Sequence, residues 1–184
     1  MRRVVLLVLA AAVALAACGG DEGALEWRDA RLQIPDGWVV FDEEDTRLSI
    51  ANVPLGPEVE EMPEGDVVAI FLTHEVGAGP GAWREYAEAN DVEVERDEAI
   101  EVGGVPATRL QLLDQAGGSG DTLTREMVVV VPSREVVMLA QPLPSLGDDD
   151  ITDVYDRAED TFEAVLDSVR WGAPVGGPGV TEAP

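Results

Sequence analysis

From residue 24 to residue 34, apolar and polar positions alternate, with Leu25, Trp27, Ala30, Leu32 and Ile34 on the apolar beat. A period of two predicts one or two half-buried strands. Residues 35–37, Pro-Asp-Gly, form a turn by their chemistry: the proline ring fixes φ and the glycine supplies freedom. The apolar run 38–41 resumes as a strand, and the acidic stretch 42–45 is expected to be a hairpin connection. Residues 47–53 read as the returning strand. Residues 54–65 hold Pro54, Pro57 and Pro63 together with Glu58, Glu60, Glu61 and Glu64, so they predict a long surface loop.

Residues 67–72 are continuously apolar, and a strand without polar positions is one buried on both faces. A central strand with layers above and below it is therefore expected. Glycines at 77, 79 and 81 break the chain, and 82–90 predicts a short helix with Trp83, Tyr86, Ala87 and Ala89, ended by Asn90. Residues 92–102 alternate Val92 and Val94 with glutamates and continue to Ile100 and Val102, an exposed or one-faced strand turned by Gly103-Gly104. The strand 107–113 puts Leu110 and Leu112 on one face and Arg109 and Gln111 on the other. Residues 117–121 form a loop, and 123–131 and 135–141 form a pair joined by Pro132-Ser133-Arg134.

The clearest periodicity comes last. Ile151, Val154, Tyr155, Ala158, Phe162, Val165, Leu166 and Val169 recur at spacings of three and four, which predicts an amphipathic helix. Asp148, Asp149 and Asp150 precede it as expected N-cap and dipole-compatible charges. The fold class expected is α+β, an antiparallel sheet covered by helices. The expected organisation is a leader over 1–17, a tether over 18–23, one domain over 24–171 and a disordered tail over 172–184.

The leader begins with Met1-Arg2-Arg3, continues as an apolar run over 4–17 and ends in small residues around Cys18. That run is shorter than the roughly 20 residues of a membrane-spanning helix, and its layout is that of a cleaved secretory signal. Leu15, Ala16, Ala17 and Cys18 resemble the lipobox of bacterial lipoproteins. The resemblance implies signal-peptidase recognition through Leu15, Ala16 and Ala17, lipidation of Cys18, and a place on the outer face of the bacterial cytoplasmic membrane. Cys18 is the only cysteine in the chain, so no disulfide supports the fold.

Charge narrows the partners. The chain carries 12 Lys plus Arg against 37 Asp plus Glu, a net charge of −25, and every one of its cations other than His74 is an arginine. Loss of Arg2 and Arg3 with the leader makes the mature chain more negative still. Nucleic acid and bare anionic lipid are therefore poor partners, and the acidity suits a solvated surface. The lack of lysine fits a GC-rich genome.

Candidate chemistry is sparse. His74 is the single histidine, and Ser119 is the nucleophile it would need in a hydrolytic triad. Residues 117–121 miss the final glycine of the strand-to-helix elbow such a serine occupies, so a triad is not expected. Residues 77–81 lie between strand and helix where amides can cradle phosphate, yet the chain has no lysine to complete a phosphate loop, and a plain connection is expected. Asp148, Asp149, Asp150 and Asp153 form a candidate calcium site, weighed against helix capping. Trp38, Trp83 and Trp171 fall at element ends and are expected to pack, with Trp27 less defined. No cofactor is expected.

Residues 34–38 (Ile-Pro-Asp-Gly-Trp), a long strand leading to the Trp83, Tyr86, Ala87 helix, residues 104–107 (Gly-Val-Pro-Ala), and a closing helix with Phe162, Leu166, Ser168 and Trp171 together resemble the PsbP-like fold. That fold occurs in bacterial lipoproteins of the DcrB and LpqN types. The resemblance implies an α/β/α sandwich over 24–171 and a non-catalytic accessory or binding role in the cell envelope with a protein partner. The alternative expectation is a carrier or sensor for a small molecule or calcium.

Overall fold

The computed structural model describes residues 24–55, 65–115, 123–143 and 151–173. Ten strands and two α-helices lie within them. The central apolar run becomes β5 (Val67–His74), flanked on both sides by antiparallel partners, β4 (Arg47–Ala51) and β9 (Val136–Leu143). Strands β3 (Val39–Glu44), β6 (Glu93–Val102), β7 (Val105–Gln115) and β8 (Leu123–Val131) complete a seven-stranded sheet in the order β3-β4-β5-β9-β8-β7-β6.

Each face of this sheet carries a helix, for the reason given by the alternation of its strands. Val68, Ile70 and Leu72 point to one side, where α2 (Thr152–Ser168) lays down Tyr155, Phe162, Val165 and Leu166. Leu110, Leu112, Val128, Val130 and Val137 point to the other, where α1 (Pro80–Asn90) contributes Ala87 and Trp83. The protein is an α+β fold with an antiparallel sheet between helices. β6 forms an edge, and its row of exposed charges suits a strand that must not pair with another chain.

Four expectations need correction. The strand pattern at the start of the domain does not join the main sheet. β1 (Ala24–Trp27) and β2 (Ala30–Gln33) form a separate hairpin, completed into a three-stranded sheet by β10 (Arg170–Trp171). Two residues are too few for a periodic signal, so β10 is created by its partner. Second, the acidic stretch 42–45 is mostly strand: β3 runs to Glu44, with a register shift between Val40 and Asp42 that lets Phe41 meet Phe71 edge to face at 6.0 Å. Third, α1 starts at Pro80, because proline at the first turn loses no hydrogen bond a helix would use. Fourth, α2 is capped by Ile151 without any side-chain hydrogen bond. Asp148, Asp149 and Asp150, expected as the cap, lie outside the described residues.

The small sheet is fastened to the large one by directed contacts. Trp27 is 3% exposed, and its indole Nε1 donates to the Glu44 carbonyl at 2.9 Å. Trp171 Nε1 donates to the Val102 carbonyl at 2.8 Å, so close to the β6–β7 turn that a Cβ on Gly103 would stand 2.8 Å from the indole. The Gly172 amide donates to the Asp29 carbonyl at 2.7 Å, which carries the ordered body past residue 171. Trp27→Phe keeps the apolar burial and removes one hydrogen bond, leaving the Glu44 carbonyl to find water. A loss of about 1 kcal/mol is expected in urea unfolding.

Candidate functional site: an arginine-bearing sheet face

In the hairpin of β1 and β2 the side chains alternate. Trp27, Ala30 and Leu32 are buried beneath, whereas Glu26, Arg31 and Gln33 are exposed above. The register places Glu26 opposite Arg31 and Arg31 opposite Arg170 of β10, so these three form a row across the sheet. Arg31 and Arg170 are like charges directly across two antiparallel strands. Arg28 stands at the turn with φ of 56°, a left-handed backbone that a non-glycine residue adopts at some cost.

Open clefts flank the row. One of about 350 Å³ is lined by Arg28, Arg31 and Arg170 together with Glu26, Asp29 and Trp171, and another of about 210 Å³ by Arg31, Gln33, Ser168 and Arg170. A third, of about 480 Å³, lies between β1 and β3 and has the opposite character, with Glu26, Glu43, Glu44 and Asp45 against Arg28.

Beneath the face, Arg134 is a clamp. It pairs with Asp29 at 2.6 Å, donates to the Gly172 carbonyl at 3.2 Å and lies 5.3 Å from the Trp171 ring centre. The hairpin turn, the loop before β9 and the strand after α2 are thus locked by one guanidinium. The clamp is mostly buried, and the row above it is exposed.

Elsewhere arginine is matched by acid. Arg47 pairs with Asp42, Arg84 with Asp97 at 2.6 Å, Arg96 with Glu159 at 3.3 Å and Arg157 with Asp66 at 2.8 Å. Arg125 bridges Glu95 at 2.6 Å and Asp156 at 2.5 Å, and its hydrogen bonds hold the Glu95 carboxyl below its ordinary range. The Arg84 hydrogen bonds do the same for Asp97. Among the described residues Arg28 and Arg170 form no ion pair: Arg28 donates to the Asp45 carbonyl at 3.0 Å, and Arg170 to the carbonyls of Asp167 and Val169, each at 2.7 Å.

Two interior polar groups were not singled out as sites by the sequence pattern. Arg109, its side chain 7% exposed, lies under α2 with Glu98, Glu159 and Glu163 around it. Burial opposes its charge, but Glu163 foremost holds it above the ordinary guanidinium value. Gln111 Oε1 is buried there without a hydrogen-bond partner, and burial pushes the Tyr155 phenol, which lies beside Arg109, up to about 12. On the α1 side, Glu126 is 9% exposed, and burial followed by the charge of Asp114 pushes its carboxyl up to about 7. Tyr86 OH donates to Asp114 Oδ2 at 3.3 Å beside it.

Few of the residues expected to carry chemistry lie among the described residues. Cys18 with Leu15, Ala16 and Ala17 lies outside the described residues, as do Asp148, Asp149, Asp150 and Ser119. Asp153 is exposed in the first turn of α2, and among the described residues no three metal-ligating side chains converge. His74 Nε2 ends β5 at 3.3 Å from Glu135 Oε2. The 77–81 connection reaches the same carboxylate, the Gly77 amide donating to Glu135 Oε1 at 3.4 Å. The tryptophans pack as expected, Trp38 edge to face with Phe162 at 6.5 Å and Trp83 with Tyr86 at 5.9 Å.

No protein-family model matches the chain, and no curated protein matches it by sequence. Solved structures similar to it include a protein of unknown function from Pseudomonas aeruginosa, with 12% identity over 86% of this chain and 97% of that one, at a TM-score of 0.44. The cyanobacterial PsbP of Synechocystis sp. PCC 6803, CyanoP, has 14% identity over 85% and 98%, at 0.46. The Ran-binding protein Mog1p of Saccharomyces cerevisiae has 11% identity over 78% and 90%, at 0.48. All three scores lie below 0.5, and the α+β assignment rests on the strands and helices themselves.

Proposed function

We propose that this chain is an extracytoplasmic lipoprotein, anchored through Cys18 to the outer face of the bacterial cytoplasmic membrane, and that it serves as a non-catalytic accessory or binding protein of the cell envelope. The observation that carries the reading is the leader: two arginines, an apolar run too short to span a bilayer, and Leu15-Ala16-Ala17 immediately before the sole cysteine. Two acyl chains on one residue, each buried methylene contributing about 0.8 kcal/mol, give stable anchoring. The binding role is supported by the open clefts and charged surfaces described above and by the resemblance to PsbP-like lipoproteins. Its partner in this reading is another envelope protein.

Cys18→Ser removes the acceptor thiol, and the protein is expected to shift from the membrane fraction to the soluble fraction. A variant still recovered with membranes overturns the anchor. Crosslinking of the lipidated protein in intact cells tests the second half, and turnover by the purified protein in a hydrolase screen would count against it.

A further inference from the structure

We propose that α1 is a proton-gated cover of the sheet: while Glu126 is protonated the helix lies closed on Leu110, Leu112, Val128 and Val130, and ionisation of Glu126 beside Asp114 releases it. The device does not depend on the anchor at Cys18. It says when one apolar face of the domain is covered and when it is bare.

Glu126 is 9% exposed and shares the α1 side of β8 with Val128 and Val130. No group among the described residues hydrogen-bonds its carboxyl. From β7 it meets Asp114, which stands opposite Thr124, whose hydroxyl is itself buried without a partner. From α1 it meets the Tyr86 phenol, which donates to Asp114 Oδ2 at 3.3 Å and is pushed up by burial, then by the charges of Asp114 and Glu126. β9, on the other side of β8, has no titratable residue. Arg125, next in the chain, points through to Glu95 and Asp156 on the α2 side. The one cation of α1, Arg84, is held by Asp97 of β6 at 2.6 Å, and the helix's acids Glu85 and Glu88 are exposed. An ionised Glu126 therefore has a carboxylate beside it and no counter-ion.

A buried charge without a partner is relieved by letting water in, and the element that can yield is the helix. β8 is hydrogen-bonded on both sides, to β7 and to β9. α1 is held by side chains: Ala87 is its only buried residue, Trp83 packs half-buried near it, and the Arg84–Asp97 pair is exposed. Its N-terminus has no side-chain cap, and Gly77, with φ of 76°, and Gly79 leave its entry free to turn. The remaining fastening, Tyr86 to Asp114, lies where the charge builds up.

Closed, the Glu126 carboxyl sits at about 7, raised by burial and then by Asp114, and in water it returns toward 4.5. The closed form holds the proton more tightly, so opening grows as pH rises. Between pH 5 and pH 8 the opening equilibrium increases by up to about 70-fold. A released helix of 11 residues is too short to persist alone, so its amides exchange.

Hydrogen exchange of the purified protein at pH 5 and pH 8, corrected for intrinsic rates and repeated in low urea, tests the cover. Protection of residues 82–90 should fall by about tenfold or more at pH 8. It should fall through an opening that low urea barely changes, because little surface is exposed. Residues 154–168 of α2 should stay better protected, with the full urea dependence of global unfolding. Glu126→Gln should hold α1 closed at both pH values, and Glu85→Gln, at an exposed acid of the same helix, should leave the fall intact. Protection of α1 that does not change with pH, or a fall that survives Glu126→Gln, overturns the gate. So does exchange of α1 and α2 at one common level with one common urea slope, which is global unfolding without a separate cover. The pH and urea arms need no substitution, so they decide the matter even if a variant folds poorly.

Discussion

Phe162→Ala is expected to lower the stability of the domain by about 4 kcal/mol, the range for truncating a large aromatic in a packed interior. Phe162 is 1% exposed and sits at the centre of α2's apolar stripe. Its ring meets Trp38 edge to face at 6.5 Å and Tyr155 at 5.6 Å in a tilted arrangement. Truncation therefore opens a void between helix and sheet, and neither neighbour can close it: Trp38 is fixed by the turn before β3, where its amide donates to the Pro35 carbonyl at 3.0 Å. For a domain of this size the melting temperature should fall by roughly 8–16 °C. Thermal unfolding followed by tryptophan fluorescence measures it directly. A fall of only a degree or two would mean that α2 is not held to the sheet through this ring.

Glu126→Gln should do the opposite, and only above acidic pH. The carboxyl is pushed from an ordinary 4.5 to about 7 by burial and by Asp114. Between those values the folded chain keeps a proton that the unfolded chain has released. Stability from this group is therefore full below about pH 4.5, declines as pH rises to about 7 and stays low beyond it. The gap corresponds to about 3 kcal/mol. Glutamine keeps the shape and never ionises, so the variant should match the parent at pH 4.5 and exceed it by about 2–3 kcal/mol at pH 8. The comparison of the two curves isolates Glu126 from Glu95 and Asp97, whose lowered carboxyls contribute stability that is lost as pH falls. Urea unfolding at intervals from pH 4.5 to 8 is the measurement, and parallel curves for parent and variant would refute the effect.

Glu126 also shows why part of the interior was illegible. In sequence it is one charged residue between Arg125 and Met127, and alternation alone places it on the same face as Val128 and Val130. What makes it unusual is its burial together with Asp114, two pairs further along the neighbouring strand, where Thr124 faces Asp114 and Glu126 faces Leu112. Period two assigns faces within a strand, and it is silent on which residues of another strand lie alongside. Arg109 is the same case: its face was readable from Leu110 and Leu112, but its carboxylates come from β6 and α2.

The arginine face was hidden more deeply. Arg28 and Arg31 sit in a short hairpin among Glu26 and Asp29, and Arg170 follows a helix at the far end of the chain. Nothing local marks them, and the net charge points the other way. They become neighbours because β10 pairs with β2 and not with the seven-stranded sheet.

By itself the sequence determined the position of the single cysteine after an apolar run, the acidity, the both-faced strand at the centre, and the closing helix with Phe162 on its apolar stripe. These are properties of covalent order and of local periodicity, which a chain carries before it folds. Only the tertiary structure decided that the first hairpin leaves the main sheet, that two residues after α2 become a strand, and that Arg31 stands against Arg170. The physical reason is that a strand's hydrogen bonds are made with another segment. Register between distant segments is chosen by what the assembled core can bury, as when Trp27, Leu32 and Trp171 turn inward and leave the arginines outside.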